Sequence, residues 1–214
     1  MIIAEALLLL ALDDETGKPD LMVDPPESRL ADAVLVELAL LGRIAPPAGA
    51  ADAAAPLALL DPTPTGHPEL DAALAVVGAG AVTSAEAGAR LTPGLRDRLL
   101  QGLADRGVLH PGDRRLLGAP RRRTADPAPE AALRERLRTV LLDGADPGPR
   151  DVALLAMAGP WLASRLVPGD RLREAERRVE EVVATFRSAP DAAAGGSAAL
   201  VSAILLTTIV NPLI

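Results

Sequence analysis

The chain has 214 residues, is 49% hydrophobic but only 1% aromatic, and carries a formal charge of −7. With one Trp, one Phe and no Tyr it lacks the aromatic faces that sugar-stacking clefts and base-stacking platforms need. Having no cysteine, it is also excluded from disulfide bonding, thiolate catalysis and cysteine-ligated zinc.

Most of the sequence reads as helix. The opening run "MIIAEALLLLALDDETG" has no basic leader and no small-residue cleavage site, and it carries Glu5 early, so a helix over about Ile3 to Leu12 is expected rather than a secretion signal. Pro25 and Pro26 precede a second helix, about Ser28 to Leu41, whose apolar run is broken only by Asp32 and Glu37. A helix apolar on nearly every side belongs at the centre of a bundle, and Gly42 suits its C-terminal end. Short apolar runs around Arg43–Ile44 and at Leu57 to Asp61 can pair as strands across the loop "APPAGAADAAAP". The turn "PTGHP" then opens a helix with Leu70, Ala73, Leu74 and Val77 on one face, and "TSAE" at Thr83 to Glu86 is a capping-box signature.

Arg96 to Arg106 puts Leu99, Leu100 and Leu103 on one side and Arg96, Arg98, Gln101 and Asp105 on the other, with Gly107 as its stop. Residues 108–124 read as a β-hairpin around Pro-Gly-Asp and Gly-Ala-Pro turns. Leu133, Leu137, Val140 and Leu141 define a further amphipathic helix, as do Leu172, Ala175, Val179, Val182, Val183 and Phe186. Between them "DVALLAMAGPWLASRLV" is a buried helix bent or divided at Gly159-Pro160. After the linker "SAPDAAAGGS", a buried helix is expected over about 198–210. Ser202, Thr207, Thr208, Asn211 and Pro212, and the lack of flanking positive charge, argue against a membrane span. The expectation is one mainly α domain over 1–214, a helical bundle with a small projecting β-hairpin.

No catalytic constellation emerges. His67 and Asp71 stand four apart, but His110 is the only other histidine, so a turn histidine beside a helix start is expected, not a metal site. There is no Gly-rich phosphate loop and no Gly-x-Ser-x-Gly elbow, and no cofactor is expected. The unusual feature is Arg96 to Arg123, where eight arginines face three aspartates for a surplus of five, leaving −12 for the rest of a −7 chain. Three readings compete. The segment could be a winged-helix wing with Arg114, Arg115 and Arg121 to Arg123 on DNA phosphates, a surface for anionic lipid headgroups, or a solvated face. The alternating charges before the hairpin and the net −7 argue against a polyanion partner.

Several phrases, taken in order, resemble one family. They are "EALLLLALDDETG", "LVELALLGRI" at Leu35 to Ile44, "PTGHPELDAAL" from Pro64 to Leu74, "LRDRLLQGLADRGVL" from Leu95 to Leu109, and more weakly "RERLRTVLLDG". Together they are similar to the Golgi phosphoprotein 3 family of phosphoinositide-reading peripheral membrane proteins, which has bacterial members. The resemblance implies a single, mostly helical domain whose projecting hairpin helps build oligomers, and a site where a Trp and several Arg hold phosphatidylinositol 4-phosphate. Carried over residue by residue, Met22 falls at the Trp position. Ala31 falls at the Arg before the central helix, with Arg29 two residues earlier. Of two paired arginines ahead of the hairpin, Pro93 stands at the first and Arg96 at the second, with Arg90 nearby.

A non-enzymatic, cytoplasmic, reversibly membrane-associated protein is therefore expected. Its headgroup site would comprise Arg96, Arg98, Arg29, Arg90 and Met22. Arg114, Arg115, Leu116, Leu117, Arg121, Arg122 and Arg123 would decorate an oligomerising hairpin. Four arginines near an anionic bilayer would supply about 4 kcal/mol, roughly a thousandfold in partitioning. The alternatives are a homo-oligomeric scaffold for protein partners without a lipid role, and the DNA-binding wing.

Overall fold

The computed structural model describes residues 1–12, 25–46, 55–111, 123–188 and 201. In chain order these form α1 (Ile3–Ala11), α2 (Glu27–Leu40), β1 (Ile44–Ala45), β2 (Ala58–Leu59), α3 (Pro68–Gly78), α4 (Ser84–Leu91), α5 (Leu95–Asp105), α6 (Ala128–Leu142), α7 (Pro149–Ala158), α8 (Pro160–Leu166) and α9 (Leu172–Ser188). The fold is mainly α with one two-stranded antiparallel hairpin, in which Ile44 pairs with Leu59 and Ala45 with Ala58.

The core is built around the two most apolar helices. Every residue of α1 is buried, Leu7 to Leu10 almost completely, and α2 is buried from Ala33 to Ala39. Neither helix has a polar stripe wide enough to face water, so the remaining helices must cover them. Leu70, Ala73, Leu74 and Val77 of α3, Leu99 and Leu103 of α5, and Leu133 and Leu137 of α6 supply apolar faces at helical spacing to the same hydrophobic cluster. In α9, Ala175 and Val182 are buried with Leu172, Val179 and Val183 packed behind them; the side chain of Phe186 lies outside the described residues.

Local signals end the helices where the sequence places them. Thr83 Oγ1 accepts from the Glu86 N–H (3.2 Å) and Glu86 accepts from the Thr83 N–H (2.9 Å), completing the capping box of α4. The helix expected across Gly159-Pro160 is divided into α7 and α8, because Gly159 takes φ +72° and proline cannot continue the ladder. Of the hairpin expected over 108–124 only the base is described. Leu109 bridges Thr124 in antiparallel fashion and the His110 N–H donates to the Arg123 carbonyl (2.8 Å). Arg114, Arg115, Leu116, Leu117, Arg121 and Arg122 lie outside the described residues. So does the C-terminal helix expected over about 198–210, apart from Val201, which is helical and buried. Among the described residues no helix is long and apolar enough to cross a membrane.

Arginine also closes helix ends in this nearly lysine-free chain. Arg165 donates to the Leu12 carbonyl after α1 (3.2 Å), Arg138 to Leu166 at the end of α8 (2.7 Å), and Arg178 to Val140 in the last turn of α6 (3.4 Å). Each puts positive charge and a donor on carbonyls that a helix leaves unpaired.

Candidate cationic site at the start of the central helix

Hydrogen bonds fix the relative direction of α2 and α5. At one end, Arg96 in the first turn of α5 donates from its guanidinium to the Pro25 carbonyl, and its N–H points at Glu27 Oε1 (3.4 Å). At the other end, Arg106 just past α5 pairs with Glu5, while the Ile3 N–H donates to Glu37 Oε2 in the last turns of α2 (3.0 Å). The two helices thus run in the same direction, and the first turns of both lie at one end of the bundle. The end of α4 joins them there, since Asp32 Oδ1 of α2 lies 3.6 Å from where a Cβ on Gly88 would stand.

This junction brings three of the expected site residues onto neighbouring elements. Arg29 sits in the first turns of α2, Arg90 in the last turn of α4 and Arg96 in the first turn of α5. Arg29 is half-buried, and its buried Nε finds no acceptor among the described residues. Burial pulls its guanidinium below the ordinary arginine range and the neighbouring Asp32 pushes it back part of the way; it stays charged at any relevant pH. Arg90 is exposed, and four residues before it Glu86 is held below the usual carboxylate range by the Thr83 N–H and hydroxyl, helped by the charge of Arg90.

Arg98 is exposed, as its place on the outer face of the helix implies, and its guanidinium is also engaged within the protein. Nε donates to both carboxylate oxygens of buried Glu69 (3.0 Å each), and the terminal nitrogens donate to the carbonyls of Pro93 (2.6 Å) and Leu91 (3.2 Å). Arg98 therefore staples the α4–α5 turn to α3. Met22 lies outside the described residues, and Ala31, at the family's Arg position, is fully buried in the core. Pro93 is exposed in the α4–α5 turn and offers only its carbonyl, to Arg98.

The carboxylates around the site are what the sequence reading missed. Asp32 stands beside Arg29, Glu86 beside Arg90, Glu27 at the N–H of Arg96 and Glu69 on Arg98. The first two were legible, because i,i+3 and i,i+4 spacings place opposite charges together on a helix. The other two join segments 69 and 29 residues apart and carry no local signal. Four arginines thus meet four carboxylates even before exposed Asp97 is counted. The roughly 4 kcal/mol expected from four uncompensated arginines does not apply to this face.

His67 is the N-cap of α3 rather than half of a metal site. Its Nδ1 accepts from the Glu69 N–H (3.3 Å), its Nε2 meets Glu5 Oε1 (2.9 Å), and Asp71 is turned to the N–H and hydroxyl of Thr65 (2.6 and 2.7 Å). Among the described residues no cluster of three metal-ligating side chains occurs.

The family model described as Golgi phosphoprotein 3 (GPP34) matches residues 3–204, nearly the whole chain. No curated protein matches it.

Proposed function

The chain belongs to the Golgi phosphoprotein 3 family, and from that premise we propose that it is a non-enzymatic peripheral protein which binds phosphoinositide-like headgroups through Arg29, Arg90 and Arg96. Membership fits a phosphoinositide-binding peripheral protein at the level of the family. The observation that supports the finer reading is the placement of Arg29, Arg90 and Arg96 on α2, α4 and α5 where these elements meet at one end of the bundle. A guanidinium suits a phosphate oxygen, because charge-assisted bonds between them are short and strong. Docking would be reversible and electrostatic, with Arg98 holding the turn that presents Arg96.

Co-sedimentation with vesicles tests this reading. Neutral vesicles should leave the protein in solution, and vesicles containing phosphatidylinositol 4-phosphate should bring it down in a salt-sensitive manner. Arg29→Ala with Arg96→Ala should abolish that retention while leaving the helical circular dichroism unchanged. Failure to bind any vesicle would overturn the lipid reading in favour of a homo-oligomeric protein scaffold.

A further inference from the structure

The α4–α5 turn lies between two arginines of the site, Arg90 in the last turn of α4 and Arg96 in the first turn of α5. Arg98 grips the backbone of that turn. Its Nη1 donates to the Pro93 carbonyl (2.6 Å) and its Nη2 to the Leu91 carbonyl (3.2 Å). Leu91 follows Arg90 directly and Pro93 stands just ahead of α5, so Arg90 and Arg96 both hang on the backbone that Arg98 holds. Arg98 would not keep that grip alone, because it is exposed and a long side chain free in water spreads over many rotamers. Glu69, in the first turn of α3, is what directs it. Both carboxylate oxygens accept from Nε (3.0 Å each), which leaves the terminal nitrogens pointing at the turn. Glu69 is buried, and its own N–H donates to His67 Nδ1 (3.3 Å).

We propose that Glu69 is a positioning residue of the headgroup site: acting through Arg98, it sets the α4–α5 turn, and with it the spacing of Arg90 and Arg96, without touching the ligand. The inference rests on the lipid reading above. Guanidinium groups on two helices bind one phosphate well when their spacing is set beforehand, since ordering them at the moment of binding uses up part of the interaction. Glu69 adds no attraction of its own, because its charge has the same sign as that of the headgroup. Charge and positioning therefore predict opposite effects for its removal. If only the sum of charges mattered, neutralising Glu69 would tighten binding to an anionic bilayer, about fivefold for one charge. If the turn matters, the same change weakens it.

The test compares two variants and their combination on vesicles containing phosphatidylinositol 4-phosphate, with circular dichroism fixing the folded fraction before each titration. Glu69→Gln keeps the shape and one oxygen for Arg98 Nε but gives up the charge and the second acceptor. Arg98→Lys keeps the charge of the chain and loses the forked donation to two carbonyls. The apparent affinity of folded Glu69→Gln should fall about fivefold, the share of one arginine at a bilayer. Arg98→Lys should fall as far, and the double variant no further than either, because both residues act on one turn. Equal or tighter binding by Glu69→Gln overturns the inference and leaves the lipid reading standing, and unchanged binding by Arg98→Lys does the same. Losses that add in the double variant also overturn it, since Glu69 would then act by a route other than Arg98. If wild type binds no vesicle, the lipid reading falls and takes the inference with it.

Discussion

The two ends of the α2–α5 pair place the same residue types in different settings. Where the helices begin, Arg29, Arg90 and Arg96 are flanked by carboxylates that water still reaches, and a buried donor of Arg29 is open among the described residues. Where they finish, the carboxylates are the buried partners. Glu5 is 1% exposed and holds the Ile2 N–H (3.1 Å), His67 and Arg106, while Glu37 is fully buried and holds the Ile3 N–H and Arg150. There the arginines lie half out in solvent and serve the carboxylates. An arginine therefore says little about function by itself. At the far end the buried member of each pair is the carboxylate, and its arginine is half exposed.

The largest effect should come from breaking the structural end. Glu37→Ala leaves the Ile3 N–H without its acceptor inside the core and removes the partner of Arg150, and should cost about 3 kcal/mol in urea unfolding. Vesicle affinity of the folded protein should be unchanged. Loss of stability together with selective loss of lipid binding would mean that the two ends are coupled through α2.

Acid should weaken the same end. Burial pushes the Glu5 carboxyl up, but hydrogen bonds from His67 and Arg106, together with their charges, outweigh it and hold the group below its ordinary value of 4.5. A carboxyl lowered in the folded state stabilises the fold above its unfolded value, and that contribution is lost as pH falls through the folded one. The stability advantage of wild type over Glu5→Gln should thus be complete at neutral pH and shrink below 4.5. An advantage that stays constant with pH would show that the carboxylate acts there only as a neutral acceptor.

The fold was largely legible in the sequence, and the site only partly so. Hydrophobic period, the Thr83–Glu86 box and the Gly-Pro break placed the helices within a residue or two, because each signal acts within one or two turns. The short pairing of Ile44 with Leu59 was legible from two apolar runs flanking a turn-rich loop. Outward-facing arginines were legible as well, but not what they meet. Arg98 reads as a solvent residue by helical phase, and only the packing of α3 against α5 delivers Glu69 to it. Nor does anything near Arg96 announce Glu27, since that contact depends on where α2 starts relative to α5.

Exchanging single arginines between the two ends sharpens the comparison. Arg29→Ala should lower retention on phosphatidylinositol 4-phosphate vesicles about tenfold, one charge-assisted phosphate contact, and barely change stability because it also removes a poorly satisfied buried donor. Arg106→Ala should do the reverse, costing about 2 kcal/mol by leaving buried Glu5 with one partner fewer and leaving vesicle retention intact. Equal losses of retention in both variants would mean that binding follows total charge and not the site.

The smallest effect separates the ends through their glycines. Gly94 caps the start of α5 at φ +69° and Gly107 follows its end at φ +74°, both in the left-handed region that Ala enters at a cost of about 1 kcal/mol. A Cβ on Gly94 would meet only Arg98 Nη1 at 3.6 Å, an ordinary contact, and one on Gly107 would meet nothing within 4 Å. Gly94→Ala and Gly107→Ala should therefore destabilise by the same small amount, through the backbone alone. They should differ in binding. Relaxing the turn at Gly94 moves the first turn of α5, and Arg96 with it, relative to Pro25 and Glu27. Relaxing Gly107 displaces nothing at that end. A fall in vesicle retention confined to Gly94→Ala would locate recognition in the geometry of the junction, whereas equal retention would mean that Arg96 reaches its ligand from a turn with room to adjust.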